Sequence, residues 1–501
     1  MLAKVWSMTV VGVEGVLIEI EIDISSAALP RFDIVGLPDP AIRESKYRVR
    51  TAIQNSGYEF PYARILVNLA PANIKKQGPR YDLPIALGLL IASRQIQSGG
   101  LNDAVIIGEL ALDGTIRPVP GILSMALAAR SSGMKNLICA SGNAEEAAVV
   151  KAIDVYAANF LKHIPRIFEK KFEKKVITDT QVKYNVDYKD VVGQEMVKRA
   201  ILIAAAGKHH FLMCGSPGCG KSMIAKRFST ILPRLNEDES IASTQIYSVA
   251  DFKTNGLLTQ PPFRAPHHTI SNVALVGGGS FPQPGEISLA HNGILFLDEL
   301  PEFARKTLDM LRQPLEDQVI TISRAQQKVT FPCSFILVAA MNPCPCGYHG
   351  DEHNTCRCAS YAIDRYQKRI SGPLLDRFDL HIKVRRVDQQ YLMKASSAVS
   401  SDEMRSIVTR VRLRQLRRLV SYKITTNSQM PLTLIKKFCK LDDDGENLMK
   451  KATVGATARS YQKILKISRT IADIDECEEI KRKHVAEALQ YRYSGSNLNV
   501  F

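Results

Sequence analysis

The sequence predicts an α/β protein in three parts: an N-terminal α+β unit at 1–165, a central α/β core at 186–385 and a helical unit at 386–501. Three observations carry this. Over 186–385, short apolar strands alternate with helical stretches, the pattern of a parallel sheet wrapped by helices. Over 1–165, VLIEIEIDI and ILVNLAP read as strands, and PIALGLLIASRQI and MALAARSSG read as helices. Past 386, RSIVTRVRLRQLRRL and ARSYQKILKISRTIADI set apolar residues at helical spacing. The joint at 166–185 lies in KHIPRIFEKKFEKKVITDTQVKYN, a charged, Lys-rich stretch that reads as a linker with some helix. At 501 residues the chain exceeds what one core holds, and no internal repeat or low-complexity tract organises it otherwise.

The net charge of +16 favours an anionic partner. Because the basic residues are spread along the chain, a nucleotide or polynucleotide is expected ahead of a membrane; a merely basic soluble protein is the alternative. The opening MLAKVWSMTVVGVEGVLIEIEID alternates like a strand and has no continuous apolar core of a secretory signal. LPIALGLLIAS at 83–93 is too short to span a bilayer and meets Arg94. The ten cysteines are scattered apart from one group of four. A reducing cytoplasm is therefore expected, with thiols free or metal-bound and no membrane partner.

FLMCGSPGCGKSMIAKRF (211–228) runs from an apolar strand through a glycine-rich turn into a helix. It contains a complete G-x-x-x-x-G-K-S: Gly215, Ser216, Pro217, Gly218, Cys219, Gly220, Lys221 and Ser222. Glycines let backbone N–H groups curl around phosphates, Lys221 reaches the β/γ oxygens, and the Ser222 hydroxyl ligates Mg²⁺. ATP and Mg²⁺ are the expected ligands. GILFLDEL (293–300) is an apolar strand ending in two acids. Asp298 is expected to hold Mg²⁺ through water and Glu299 to polarise the attacking water, the alternative being an ordinary acidic turn. FILVAAMNP (335–343) ends a further buried strand in Asn342, placed to orient that water. SGPLLDRFDL (371–380) carries Arg377 just after a predicted helix. It is either a finger on a neighbouring subunit's γ-phosphate or a salt-bridge partner of Asp376 or Asp379.

CPCGYHGDEHNTCRC supplies Cys344, Cys346, Cys356 and Cys358, two C-x-C pairs separated by nine residues. Four such sulfurs can close a tetrahedral site for Zn²⁺, with His349 or His353 able to replace one of them; a reduced, metal-free loop is the alternative. Metal there would brace the loop after Asn342 and take no direct part in catalysis. QVITISRAQQKVTFPCSF (318–335) reads as a hairpin with Arg324 and Lys328 near its tip, either DNA-phosphate contacts or ordinary surface charge. The arginines at 405, 410, 412, 414, 417 and 418 fall on more than one helical face, which favours a solvated or ring-interface helix. Lys75, Lys76 and Arg80 form another basic loop, and His267 and His268 in APHHT read as packed core, the alternative being groups that support the site from behind. Backbone contacts of this kind predict salt-sensitive binding without sequence preference.

PFRAPHHTISNVALVGGG, PQPGEISLAHNGILFLDELPEF, LRQPLED, AAMNPCPCGY and RISGPLLDRFDL together resemble the ComM/YifB family of bacterial Mg-chelatase-related AAA+ ATPases, over essentially the whole chain. The family is similar to the ATPase subunit of magnesium chelatase and to the MCM helicases. The resemblance implies an AAA+ core followed by a helical lid, a hexameric ring and ATP-driven branch migration of branched or single-stranded DNA. The setting would be natural transformation or homologous recombination. A Mg-chelatase-like remodeller of a protein partner is the alternative. Carried over, Lys221 and Ser222 match Walker A, Asp298 and Glu299 Walker B, Asn342 sensor 1, Arg377 the arginine finger and Arg459 the sensor 2 arginine. DVVGQ (190–194) resembles the element beside the adenine, and 318–335 the pre-sensor hairpin of MCM. RYDLPIALGLLIAS with GELALDGTIRPVPGI resembles the proteolytic domain of Lon. But Ile85 stands where Lon has its serine, and GILSMALAAR lacks the lysine. Peptidase chemistry is therefore not expected.

Overall fold

Strands β1 (Leu2–Val11) and β2 (Glu14–Ser25) pair antiparallel from Leu2↔Asp23 to Val11↔Glu14, and Gly12, at φ 66°, supplies the turn. Their side chains alternate between faces, which buries Ile18, Ile20, Ile22 and Ile24 on one side. Five further strands complete this sheet: β3 (Arg31–Val35), β4 (Arg64–Ala70), β5 (Ala104–Ile106), β6 (Asn136–Ala140) and β7 (Asp154–Ala158). The order is β3-β4-β2-β1-β5-β6-β7. Helix α1 (Pro40–Asn55) starts on the Asp39 side chain, which accepts from the Ile42 N–H, with Pro40 at its first position. Nearly every residue of α2 (Asp82–Ala92) is buried, which explains the unbroken apolar run there. Helix α3 (Ile122–Ser131) packs on β2 and belongs to a second apolar cluster with Met8, Leu137 and Val155; the short α4 (Ser141–Ala147) follows β6.

The computed structural model describes residues 1–26, 29–173, 184–252, 256–324, 327–387, 399–454 and 457–492. One compact unit comprises Met1–Thr180, Glu237–Leu258 and Ser323–Thr330; the other comprises Gln181–Asn236, Thr259–Ile322 and Phe331–Phe501. The first unit thus recruits α7 (Glu237–Val249), which lies inside the 186–385 span but packs on α3. There Gly121 N–H donates to the Ser248 carbonyl at 3.0 Å. Residues Leu161–Glu169, at the start of the expected linker, form a 3₁₀ segment with Leu161, Ile164 and Ile167 buried. Residues 174–183 of that linker lie outside the described residues.

The second unit holds a parallel sheet of five strands: β8 (Phe211–Cys214), β9 (Phe263–Arg264), β10 (Ile294–Leu297), β13 (Ile336–Met341) and β14 (Leu380–Lys383). Their order is β9-β10-β13-β8-β14. Strands β8, β10 and β13 are buried at every position, as expected of strands covered on both faces. Between them in sequence, β11 (Val319–Arg324) and β12 (Gln327–Pro332) pair as the expected hairpin. Helices α5 (Glu195–Gly207) and α6 (Lys221–Arg227) flank β8 in sequence. Helices α8 (Ser401–Leu419), α9 (Asp443–Ala452), α10 (Ala458–Ile474) and α11 (Arg482–Gln490) make the C-terminal part. Parallel strands deliver all their following loops to one edge, and the site lies there.

Candidate functional site: the carboxyl edge of the parallel sheet

Strand β8 leaves the sheet at Gly215, whose N–H donates to the Met341 carbonyl at the end of β13. A Cβ on Gly215 would stand 2.3 Å from the Val384 carbonyl oxygen, so only glycine fits. Gly218 (φ 77°) and Gly220 (φ 91°) take the left-handed conformations that let the loop curl before α6 begins at Lys221. Lys221 is 9% exposed. Its Nζ donates to the Gly215 carbonyl (2.7 Å), the Ser216 carbonyl (2.9 Å) and Asn342 Oδ1 (3.0 Å). Ser222 Oγ donates to Asp298 Oδ2 at 2.5 Å, and Asp298 Oδ1 accepts from the Glu299 N–H at 3.0 Å. Residues following three neighbouring strands therefore meet at one point.

Glu299 itself is exposed and sits at φ 50°, ψ 48°. That region is costly for a side chain with a Cβ, and such strain concentrates where a residue must be aimed. Its Oε2 lies 3.4 Å from Nδ1 of His268. His268 in turn packs against His267, with ring centroids 4.1 Å apart and planes tilted by 34°, and meets Phe303 edge-on. The expectation of packed core histidines is corrected: His267 is exposed and His268 is half-buried. They lie in the loop and turn that follow β9, outside the buried strand, and nothing in the local sequence signals the Glu299 contact.

Arg377 and Arg459 come together, although neither hydrogen-bonds to the phosphate loop. Both guanidiniums engage the same oxygen, Oε1 of Glu316, on the short helix Arg312–Asp317; the Arg377 contact is 2.6 Å. The sequence offered Asp376 or Asp379 as partners of Arg377, and the carboxylate is instead Glu316. Asp376 pairs with Arg459 at 3.6 Å, and Asp379 with Lys463 at 2.9 Å. Burial pushes the Glu316 carboxyl up, but the Arg459 and Arg377 guanidiniums outweigh it and hold the group below its ordinary range. Lys463, one helical turn after Arg459 on α10, donates to the carbonyls of Asp376 (2.6 Å), Arg377 (2.7 Å) and Phe378 (3.1 Å). It fixes the backbone that carries Arg377.

The sulfurs of Cys344, Cys346, Cys356 and Cys358 all lie within 4.8 Å of one another. Three of the separations are 3.4, 3.7 and 3.6 Å. A tetrahedron with Zn–S bonds of about 2.3 Å has edges of about 3.8 Å, so the donor set fits zinc. No imidazole joins this group; His349 contributes its backbone N–H, which donates to Cys344 Sγ at 3.3 Å. The cluster is compatible with a zinc ion on four sulfurs.

The basic candidates divide. Lys328 is exposed on β12, while the side chain of Arg324 and residues 325–326 lie outside the described part. Next to Lys328, Val329 packs on the β1–β2 turn, where a Cβ on Gly12 would come within 2.7 Å of it. Of Lys75, Lys76 and Arg80, only Lys75 is exposed as the basic loop of the sequence suggests. Lys76 is buried with its Nζ on the Pro71 carbonyl, and Arg80 points at Met125 Sδ (3.7 Å). Along α8, Arg405 and Arg412 cap the carbonyls of Thr230 and Ala205, and Arg418 pairs with buried Asp473 at 2.6 Å. Arg414 reaches the Asp473 carbonyl and Arg410 pairs with Glu476 at 3.2 Å. Arg410, Arg414 and Arg418 thus tie α8 to the end of α10, while Arg405 and Arg412 tie it to residues of the 186–385 core. Gln194, in the DVVGQ element, donates to the Arg385 carbonyl at 2.5 Å. Ile85 is fully buried in α2, and no helix among the described residues is long and apolar enough to cross a membrane.

With this geometry in view, the relatives decide the family. Residues 187–392 match the family model described as magnesium chelatase, subunit ChlI; 20–143 match subunit ChlI of Mg-chelatase; 398–492 match the C-terminal model of that subunit. The chain is 43% identical over 503 residues to the competence protein ComM of Haemophilus influenzae, covering 98% of this chain and 97% of that one. It is likewise 43% identical over 498 residues to YifB of Salmonella typhimurium, with 98% and 97% covered. The chain belongs to the ComM/YifB family of Mg-chelatase-related AAA+ proteins. More distantly, 60% of it is 24% identical to a third of the DNA replication licensing factor mcm6 of Schizosaccharomyces pombe (33% of that chain). The ComM/YifB assignment accounts for the α/β core with its parallel sheet and for the helical C-terminal region. It also makes ATP and Mg²⁺ the ligands that an AAA+ phosphate loop takes.

Proposed function

We propose that the chain is an ATP-driven DNA motor. It works as a hexameric ring in the cytoplasm and migrates branched DNA during natural transformation or homologous recombination. The observation that most supports hydrolysis is the meeting of Lys221, Ser222, Asp298 and Asn342 at the carboxyl edge of the sheet. Lys221 would hold the β/γ-phosphate oxygens, and Ser222 and Asp298 would hold Mg²⁺, which neutralises charge developing on the phosphates. Glu299 polarises the attacking water, with His268 steadying its carboxylate, and Asn342 orients that water. Arg377 and Arg459 act on the γ-phosphate bound by a neighbouring subunit, so a lone subunit is incomplete. In this reading 1–165 is a non-proteolytic, Lon-like module, 166–185 a linker, 186–385 the motor core and 386–501 its lid.

DNA enters the proposal through the hairpin with Arg324 and Lys328, the charge of +16 and the likeness to the licensing factor mcm6. Contacts of this type go to the phosphate backbone and carry no sequence preference. The test is the ATPase rate with and without a four-way DNA junction, at low and high salt, beside Lys221→Ala. Strong stimulation that salt abolishes is the expected result. The three family models drawn from the magnesium chelatase subunit favour a second reading, a remodeller of a protein partner. A Lys221-dependent rate that ignores DNA and rises with a protein partner would select it.

A further inference from the structure

Between Asn342 and the helix Ser360–Gln367 the chain forms neither helix nor strand, and only Pro343, Cys344 and Gly347 are buried there. A segment with so little apolar burial has few contacts of its own to keep it in one shape. Metal binding by four thiolates supplies that order, because the free energy of binding becomes free energy of folding.

The same segment leans on the phosphate loop. Gly347, at φ 86°, lies so close to Pro217 that a Cβ would meet its Cδ at 2.5 Å. Asp351 lies beside Ser216, the two lining one cavity, and the Ser216 hydroxyl helps hold the Asp351 carboxyl low. The Asp351 carboxylate is itself aimed by the backbone N–H groups of His353 (2.9 Å) and Asn354 (2.8 Å). On the far side, Lys383 at the end of β14 donates to the Gly350 carbonyl at 3.4 Å. The cysteine cluster, the turn at 347–354 and the crest of the phosphate loop thus form one continuous set of contacts.

We propose that zinc on Cys344, Cys346, Cys356 and Cys358 sets the phosphate loop for nucleotide: it holds the turn that presses Gly347 on Pro217 and presents Asp351 to Ser216. A loop already in its binding shape loses less conformational freedom when the triphosphate arrives, and this appears as affinity. The sulfur site therefore supports Ser216 and Pro217 as well as the segment after Asn342. Zinc plays no part in the chemistry itself. The inference rests on the reading of 215–222 as a nucleotide site.

The experiment uses the full-length chain purified under reducing conditions. Its zinc content is measured, and the Kd for a fluorescent ATP analogue with Mg²⁺ is titrated as purified, after zinc is stripped, and after zinc is restored. Circular dichroism follows the overall fold. Stoichiometric zinc is expected, with a Kd about tenfold higher once it is removed and recovery on its return. Asp351→Ala keeps the four cysteines, so it retains zinc and shows a similar weakening without stripping. If stripping and Asp351→Ala both leave Kd unchanged, the inference is overturned while the zinc and nucleotide sites stand. Tight nucleotide binding by a chain that takes up neither zinc nor cadmium overturns it as well. Stoichiometric zinc with no nucleotide binding overturns the nucleotide reading, and this inference with it.

Discussion

Two clusters in this molecule are built from a cation, an aspartate and a serine, yet they differ in how their charges are spent. In the first unit, Asp82 is completely buried and accepts from Ser45 Oγ, from Arg48 Nε (2.8 Å) and Nη2 (3.1 Å), and from the Leu110 N–H (3.4 Å). Charge meets charge, and the carboxylate is surrounded by donors of its own chain. In the second unit, Lys221 donates to two loop carbonyls and an amide oxygen, and no carboxylate among the described residues pairs with it. Its hydrogen bonds are satisfied but its charge is not neutralised, and it stands at the end of a glycine-rich loop. The first arrangement holds a fold together; the second attracts an anion. The Arg377–Arg459–Glu316 group lies between these cases, because two guanidiniums share one carboxylate oxygen.

The largest effect is expected at the unneutralised cation. Lys221→Ala should lower the hydrolysis rate by about 10³-fold or more with the fold intact, by loss of charge stabilisation on the transferring phosphoryl group. Single-turnover kinetics beside circular dichroism checks this, and a rate near wild type would erase the distinction between the two clusters. Arg377→Ala should cost about 10³-fold in kcat of the assembled protein while leaving nucleotide Kd within a few fold. An equal loss of nucleotide binding would place Arg377 with structural pairs such as Arg48–Asp82.

Arg48→Ala should show the opposite behaviour. Leaving Asp82 buried without its partner should cost roughly 3 kcal/mol of stability, read by denaturant unfolding, with little change in kcat per folded molecule. Acid should act on the second unit in a comparable range. Burial pushes His210 down to about 4, and His291 and His381 down to about 3. These rings are neutral in the fold, whereas the unfolded chain binds their protons below about pH 6.5. Stability is therefore retained above that pH and lost as pH falls toward 4, by about 3 kcal/mol for His210 alone. Thermal unfolding across pH 7 to 5 should follow this decline, and His210→Gln should flatten it. The smallest effect belongs to exposed Lys328. Lys328→Ala should weaken DNA binding at all sequences alike and reduce the salt slope by about one; an unchanged slope would remove it from the interface.

Legibility in the sequence followed the range of the interaction. The strands at 211–214, 294–297 and 336–341 and the glycine turn after the first were readable because each is a local pattern. So was the hairpin at 319–332, and so were the four sulfurs, whose close pairs let one loop bring them together. Glu316 was not readable as the partner of Arg377, because it arrives from a helix some sixty positions earlier in the chain. His268 beside Glu299 and Asp351 beneath Ser216 were missed for the same reason. Lys76 and Arg80 misled in the other direction. A basic loop looks like surface until tertiary packing turns its side chains onto a backbone carbonyl and a methionine sulfur.

By itself, the order of residues determined which groups were available: a loop that can curl because of Gly215, Gly218 and Gly220, a cation and a hydroxyl following it, and acids closing a buried strand. Periodicity and spacing act over a turn of helix or the length of a strand, and they reach no further. Tertiary structure alone decided which charges became neutralised and which did not. It sent α7 to the first unit, joined Arg377 and Arg459 at Glu316, and set Gly347 and Asp351 against the phosphate loop. The physical reason is that a charge interacts with whatever the fold brings within a few ångströms, wherever in the chain that neighbour began.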